Sequence, residues 1–212
     1  MTATSTRAYR SALRSEQAAA TRQRVLEASA LCFAERGYSG TSLVDIAERA
    51  GVSPETVKAN GPKRDLLLRA FEHAFAGAEG EAPIAESQTG RELTAIAGDA
   101  EFVASVARFI ADANARTSVL WTELLSAANA DPEIAIALDG LLARRRDDYG
   151  RVIALLRDRG IVSGDAEAEA SADALSFLWS PESHQQLVLQ SGWTMEAYRS
   201  WLADTLWRQF RR

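Results

Sequence analysis

Apolar residues recur every three or four positions along almost the whole chain, and nowhere do they alternate as a half-buried strand requires. Val25, Leu26, Ser29, Cys32 and Phe33 mark one face of a helix over "RQRVLEASALCFAERGY", with Gly37 as its stop. Leu43, Ile46, Ala47 and Ala50 stripe a second helix, capped by Thr41 or Ser42 and ended at Gly51. Ser53 and Pro54 then open a very short third helix, which Gly61-Pro62 stops. "KRDLLLRAFEHAF" begins a fourth. Residues 77–91 hold Gly, Pro and acidic residues with little periodicity and read as a linker.

Beyond the linker the helical period returns. Phe102, Val106, Phe109 and Ile110 share a face, with a break expected near Gly98-Asp99. A separate helix is expected over "TSVLWTELLSAANA", and a long one from the Asp131-Pro132 cap onward. Two more follow near the C-terminus, with a short "HQQLVLQSG" between them. With no strand pattern and no internal repeat, the fold class is all-α.

The second and third helices, joined by "AGVS", form a helix-turn-helix candidate. Gly51 tolerates the positive φ of the turn, Val52 pins the interhelical angle, and Ala47 allows close approach. In such a unit the second helix enters the DNA major groove N-terminus first. Ser53, Glu55, Thr56, Lys58 and Asn60 would face the bases: Asn can pair with adenine, Glu can accept from cytosine, and Lys can reach guanine or phosphate. Thr41, Ser42 and Lys63 would touch phosphate oxygens. The same helix pair also occurs as plain packing in many all-α proteins.

Charge sharpens this picture. The net charge is −5, yet residues 1–76 carry 11 Lys+Arg against 8 Asp+Glu, and the remainder carries 13 against 21. A basic front on an acidic whole suits a protein whose front meets a polyanion. The single Cys32 reads as a buried apolar residue, and two distant histidines give no metal spacing. No apolar run approaches a membrane span and the first residues lack a secretory core, so a soluble cytoplasmic protein is expected.

The run "RVLEASALCFAERGYSGTSLVDIAERAGVSPETVKANGPKRDLL" resembles the N-terminal domain of the TetR family of bacterial transcriptional regulators. Phe33, Gly37, Tyr38, Thr41, Ile46, Ala47, Gly51, Val52 and Ser53 follow the family pattern in order. Two positions depart from it: Lys58 stands where the family usually has Tyr, and Gly61 where it has an aromatic. Residues 1–15, rich in Ser, Thr and Ala with Arg7, Arg10 and Arg14 spaced through them, read as a flexible basic arm. The resemblance implies a helix-turn-helix DNA-binding domain over 16–64 and a ligand-binding and dimerisation domain over 65–212. It further implies a homodimer on palindromic double-stranded operator DNA, released by an unknown small-molecule effector, and so a repressor.

Within that scheme Phe102, Val106, Phe109, Trp121, Leu125 and Tyr149 are the candidate pocket lining. Phe177, Trp179, Tyr198 and Trp201, in the aromatic-rich C-terminal helices, are the candidate dimer interface. "ARRRDDY" reads as a solvated helix face. No cofactor or metal is called for. An enzyme is disfavoured, since no nucleophile arrangement, phosphate loop or metal spacing is present. The alternative is a helical ligand-binding or interaction protein whose DNA-binding module is degenerate.

Overall fold

The computed structural model describes the backbone of residues 3–77, 83–162 and 168–210, and the side chains of 13–77, 83–162 and 170–208. Ten α-helices account for the described chain: α1 (Ala3–Gly40), α2 (Leu43–Ala50), α3 (Pro54–Ala59), α4 (Lys63–Ala76), α5 (Gln88–Thr94), α6 (Asp99–Ala130), α7 (Pro132–Asp158), α8 (Ala168–Leu178), α9 (Pro181–His184) and α10 (Met195–Phe210). A 3₁₀ turn at Ile84–Glu86 precedes α5, and a π-helical turn at Gln185–Gln190 prolongs α9. No strand occurs among the described residues.

The caps follow the local chemistry of the sequence. Ser42 and Asp45 close a reciprocal capping box on α2, and Gly51 ends that helix in the left-handed region. Ser53 caps α3 ahead of Pro54, and Asp131 caps α7 ahead of Pro132. α1 is interrupted at Gly37, where φ is 72°. The backbone conformation demands glycine there, and a Cβ would also sit 3.0 Å from Glu123 Oε2 and push that carboxylate aside.

Two expectations change. The backbone from Ala3 is helical where a flexible arm over 1–15 was expected; Ala, Arg and Leu within the segment favour a helix, against several Ser and Thr. α6 runs unbroken for 32 residues where two helices were expected. Thr117 opens the second expected helix, but its hydroxyl donates to the Ala113 carbonyl four residues back and the helix runs on through it. The expected linker lies partly outside the described residues, at 78–82; the rest of it forms the 3₁₀ turn and the start of α5.

Two apolar cores share α6 as a spine. The first joins Phe33, Ile46, Val57, Leu66 and Leu67 of α1–α4 to Leu120, Trp121 and Leu124 of α6 and to Ile134 and Leu138 of α7. The second joins Phe102 and Ile110 of α6 to Ile153 and Leu156 of α7, Leu175 of α8, and Leu202 and Leu206 of α10. Each fully buried side chain of this size contributes roughly 1.5–3 kcal/mol of transfer free energy. The first core therefore fastens the four N-terminal helices to the larger bundle rather than leaving them on a tether.

Candidate nucleic-acid interface

The reading helix is fixed from three sides. Val57 is fully buried under α3 and anchors its inner face. Ser53 Oγ accepts the Thr56 amide (3.2 Å), which closes the N-terminus. At the other end Arg69 of α4 donates to the Asn60 carbonyl (2.9 Å). Gly61 has φ of 124°, and a Cβ there would come within 3.5 Å of Arg69 Nη1. That contact is ordinary, so it is the positive φ that favours glycine at 61, and an arginine clamp holds the end of α3 where the family pattern has an aromatic.

The expected DNA-facing residues divide. Ser42, Ser53, Glu55 and Lys58 are exposed; the first three lie at the N-terminal ends of α2 and α3, and Lys58 lies in the last turn of α3. Thr56 is half-buried, its hydroxyl 3.1 Å from Ser53 Oγ. Asn60 folds its side-chain amide back onto the Thr56 carbonyl (2.8 Å), which leaves its side-chain oxygen as the free end. Thr41 is corrected outright. It is buried, and its hydroxyl donates to the carbonyls of Cys32 (3.0 Å) and Gly37 (2.8 Å), so it braces the α1–α2 turn instead of facing phosphate. Lys63 is likewise occupied. Its Nζ donates to the Tyr38 and Thr41 carbonyls (2.9 and 3.1 Å) and sits 4.3 Å from the Tyr38 ring centroid.

Most cations of the module are already matched. Arg49 makes a two-pronged pair with Glu35 (2.7 and 2.5 Å), Arg36 pairs with Asp45, and Arg64 with Glu133 (2.7 Å). The Arg49 hydrogen bond holds the Glu35 carboxyl below its usual pKa, and the Ser42 hydroxyl and amide do the same for Asp45. Lys58 is different: it is exposed and makes no ion pair among the described residues.

Three contacts that sequence spacing cannot reveal join this module to α6. Glu123 Oε2 accepts the Tyr38 amide (2.8 Å) just past the Gly37 break. Arg116 donates to the carbonyls of Ala74 (2.8 Å) and Phe75 (3.2 Å) at the end of α4. Trp121, between them, packs on Phe71 with ring centroids 5.3 Å apart.

Trp121 also borders a cavity of about 610 Å³, within the range of small-molecule sites. Phe102, Val106, Phe109, Trp121 and Tyr149 stand in its wall; Leu125 does not, and packs with the first core instead. The segment Pro83–Ser87 and residues Gly90, Leu93 and Thr94 close another side. The "ARRRDDY" run is not simply a solvated face: Arg144 and Arg145 turn to the cavity, while Arg146 stays outside with Asp173 (2.8 Å). Burial raises the pKa of the Tyr149 phenol strongly, so it stays neutral; it donates to the Trp179 carbonyl (3.3 Å). Trp121 Nε1 and Arg145 Nη1 are buried without an acceptor among the described residues, and a buried donor left unpaired costs about 1–3 kcal/mol.

Of the expected interface residues, Trp179 and Tyr198 are core. Trp179 Nε1 donates to the Leu202 carbonyl (3.1 Å), and Asn114 Nδ2 donates to Tyr198 Oη (2.9 Å). Both aromatics satisfy their polar ends internally. Trp201 is half-buried and stacks on Tyr198, whereas Phe177 is 73% exposed.

With this geometry in place, the family model for bacterial regulatory proteins of the tetR family matches residues 25–58. Over those residues the chain is similar to the TetR-family N-terminal domain. The match runs from the inner face of α1 through Lys58, so it includes the capping box, the Gly51 turn and most of α3. The whole TetR-type fold extends to solved structures at low identity. A Rhodococcus protein assigned to the TetR-family transcriptional regulators is 20% identical, with 88% of this chain and 96% of that one covered, at a TM-score of 0.70. A transcriptional regulator from Saccharomonospora viridis in complex with choline is 22% identical over 91% and 98%, at 0.67. The regulator FadR from Bacillus subtilis in complex with stearoyl-CoA is 14% identical over 86% and 96%, also at 0.67. No curated protein matches the chain by sequence.

Proposed function

We propose that the chain is a non-enzymatic, cytoplasmic transcriptional repressor that binds a palindromic operator as a homodimer and releases it when an effector fills the cavity. The observation that carries this reading is α3: a two-turn helix, capped by Ser53, with Val57 buried beneath it and Glu55 and Lys58 exposed on it. Such a helix presents its free amides and polar side chains to a groove while its back is held rigid. Ser53, Glu55, Thr56, Lys58 and the Asn60 oxygen are the proposed base-facing set, with Ser42 on phosphate. The exposed Phe177 and half-buried Trp201 are the proposed pairing residues on the C-terminal helices.

The proposed switch runs through α6. One stretch of that helix lines the cavity with Trp121 and grips the Gly37–Tyr38 turn with Glu123. A ligand that shifts α6 therefore changes where each module sits, and in a dimer it changes the spacing of the two reading helices. Complexes of fold neighbours with choline and with stearoyl-CoA support small-molecule control in general.

The degenerate-module alternative draws on the matched cations Arg36, Arg49 and Lys63, which leave a lean electrostatic footprint. Titration of the purified protein onto DNA flanking its own gene, at several salt concentrations, separates the two. The repressor reading expects saturable, salt-sensitive binding at one site, whereas the alternative expects none even at low salt.

A further inference from the structure

Seven charged side chains stand in the cavity wall, and six of them are balanced or solvated. Arg144 pairs with Glu72 (2.6 Å) and Arg151 with Asp148 (3.0 Å). Glu86 and Asp147 are exposed at the rim. Arg145 is the seventh. Its Nε donates to Ser176 Oγ (2.9 Å) and its Nη2 to the Ser176 carbonyl (3.3 Å), so neutral partners hold the guanidinium and no described carboxylate meets it. Nη1 has no acceptor. The guanidinium carbon lies 5.2 Å from the Trp121 ring centroid, and Trp121 Nε1, in the same wall, also lacks an acceptor. The cavity thus couples an apolar wall (Phe102, Val106, Phe109) to one arginine outside any ion pair and two buried donors without acceptors.

We infer that the cavity takes an anionic amphiphile, a molecule with a carboxylate head and an apolar body. This rests on the reading of the cavity as an effector site. A small turn of the two side chains brings Arg145 Nη1 and Trp121 Nε1 to the cavity, where the head accepts from them, and the body lies along the phenylalanine wall. A cationic head at this end of the cavity fits poorly, because the Arg145 guanidinium already covers the Trp121 ring and repels a second cation, while Glu72 and Asp148 are spent on arginines and the free carboxylates Glu86 and Asp147 stand at the rim. A neutral head would leave the guanidinium charge uncompensated. The two donors come from α6 and α7, so a carboxylate between them ties those helices together. That bridge begins two residues from Glu123, the grip on the Gly37–Tyr38 turn.

The test is displacement of a neutral fluorophore, N-phenyl-1-naphthylamine, from the full-length protein by three amphiphiles of equal chain length: decanoate, decanol and decyltrimethylammonium. Decanoate is expected to displace the fluorophore at a concentration at least about tenfold lower than decanol, the scale of a charge-assisted hydrogen bond. Decyltrimethylammonium is expected to be the weakest. Arg145→Met is expected to erase the decanoate advantage, and Arg145→Lys to keep part of it. The head-group comparison needs only the unsubstituted protein, so it stands if a variant fails to fold. Equal displacement by decanoate and decanol, or strongest displacement by the ammonium, overturns the assignment while leaving the cavity as an effector site. Failure of the fluorophore and of all three amphiphiles to bind overturns the effector site itself.

Discussion

Thr41 shows how one hydroxyl can serve the fold instead of the ligand. Two adjacent hydroxyl residues precede α2, and either is a plausible cap from sequence. Ser42 takes the extended backbone of a cap (φ −104°, ψ 162°), which leaves Thr41 to turn inward onto the α1 carbonyls. Thr41→Val keeps the shape and removes the donor, so it should cost about 1–2 kcal/mol by denaturant unfolding. Lys58→Met should do the opposite. It should leave the unfolding midpoint unchanged, weaken operator binding, and lower the log–log salt slope by about one. His184 sets a pH limit. It is buried, within 3.0 Å of Ser118 Oγ, and burial depresses its pKa. The unfolded state then takes up a proton more readily than the folded state below about pH 6.5. Stability from this group is complete above that pH and falls as pH drops toward the folded value. Thermal unfolding between pH 7.5 and 5 should show the decline, and His184→Asn should flatten it.

At the scale of elements, what the sequence discloses is what the local chain controls. Ser42, Gly51, Ser53 and Asp131 act on amides or φ angles within a few residues of themselves, so the bounds of α2, α3 and the start of α7 are legible. The continuity of α6 is not, because Thr117 looks like a helix start until its hydroxyl is seen bonded to the preceding turn. Trp179 and Tyr198 are equally opaque. An aromatic-rich helix has the same composition whether it faces a partner or its own core, and only the internal partners Leu202 and Asn114 decide. Five of the six expected pocket residues share one cavity because they recur on the inner faces of α6 and α7, whereas the Arg145–Ser176 and Glu123–Tyr38 contacts join residues far apart in sequence and leave no local signal. The anchoring of α3 has a direct test. Val57→Ala should cost about 1–3 kcal/mol and loosen operator binding, although Val57 touches no DNA in this account.

For the whole molecule, the shared α6 spine makes the N-terminal module and the cavity parts of one packed body. Glu123→Ala should therefore separate binding from control. The operator affinity of the effector-free protein should change little, while effector-induced release weakens, as read by comparing affinities with and without ligand. The most direct measurement of the central claim is footprinting of the purified protein on DNA flanking its own gene, repeated from low to physiological salt. The account predicts one two-fold-symmetric protected site, with affinity that falls as salt rises and is weakened by Lys58→Met. Absence of any protected site at low salt, with the protein folded, would contradict it.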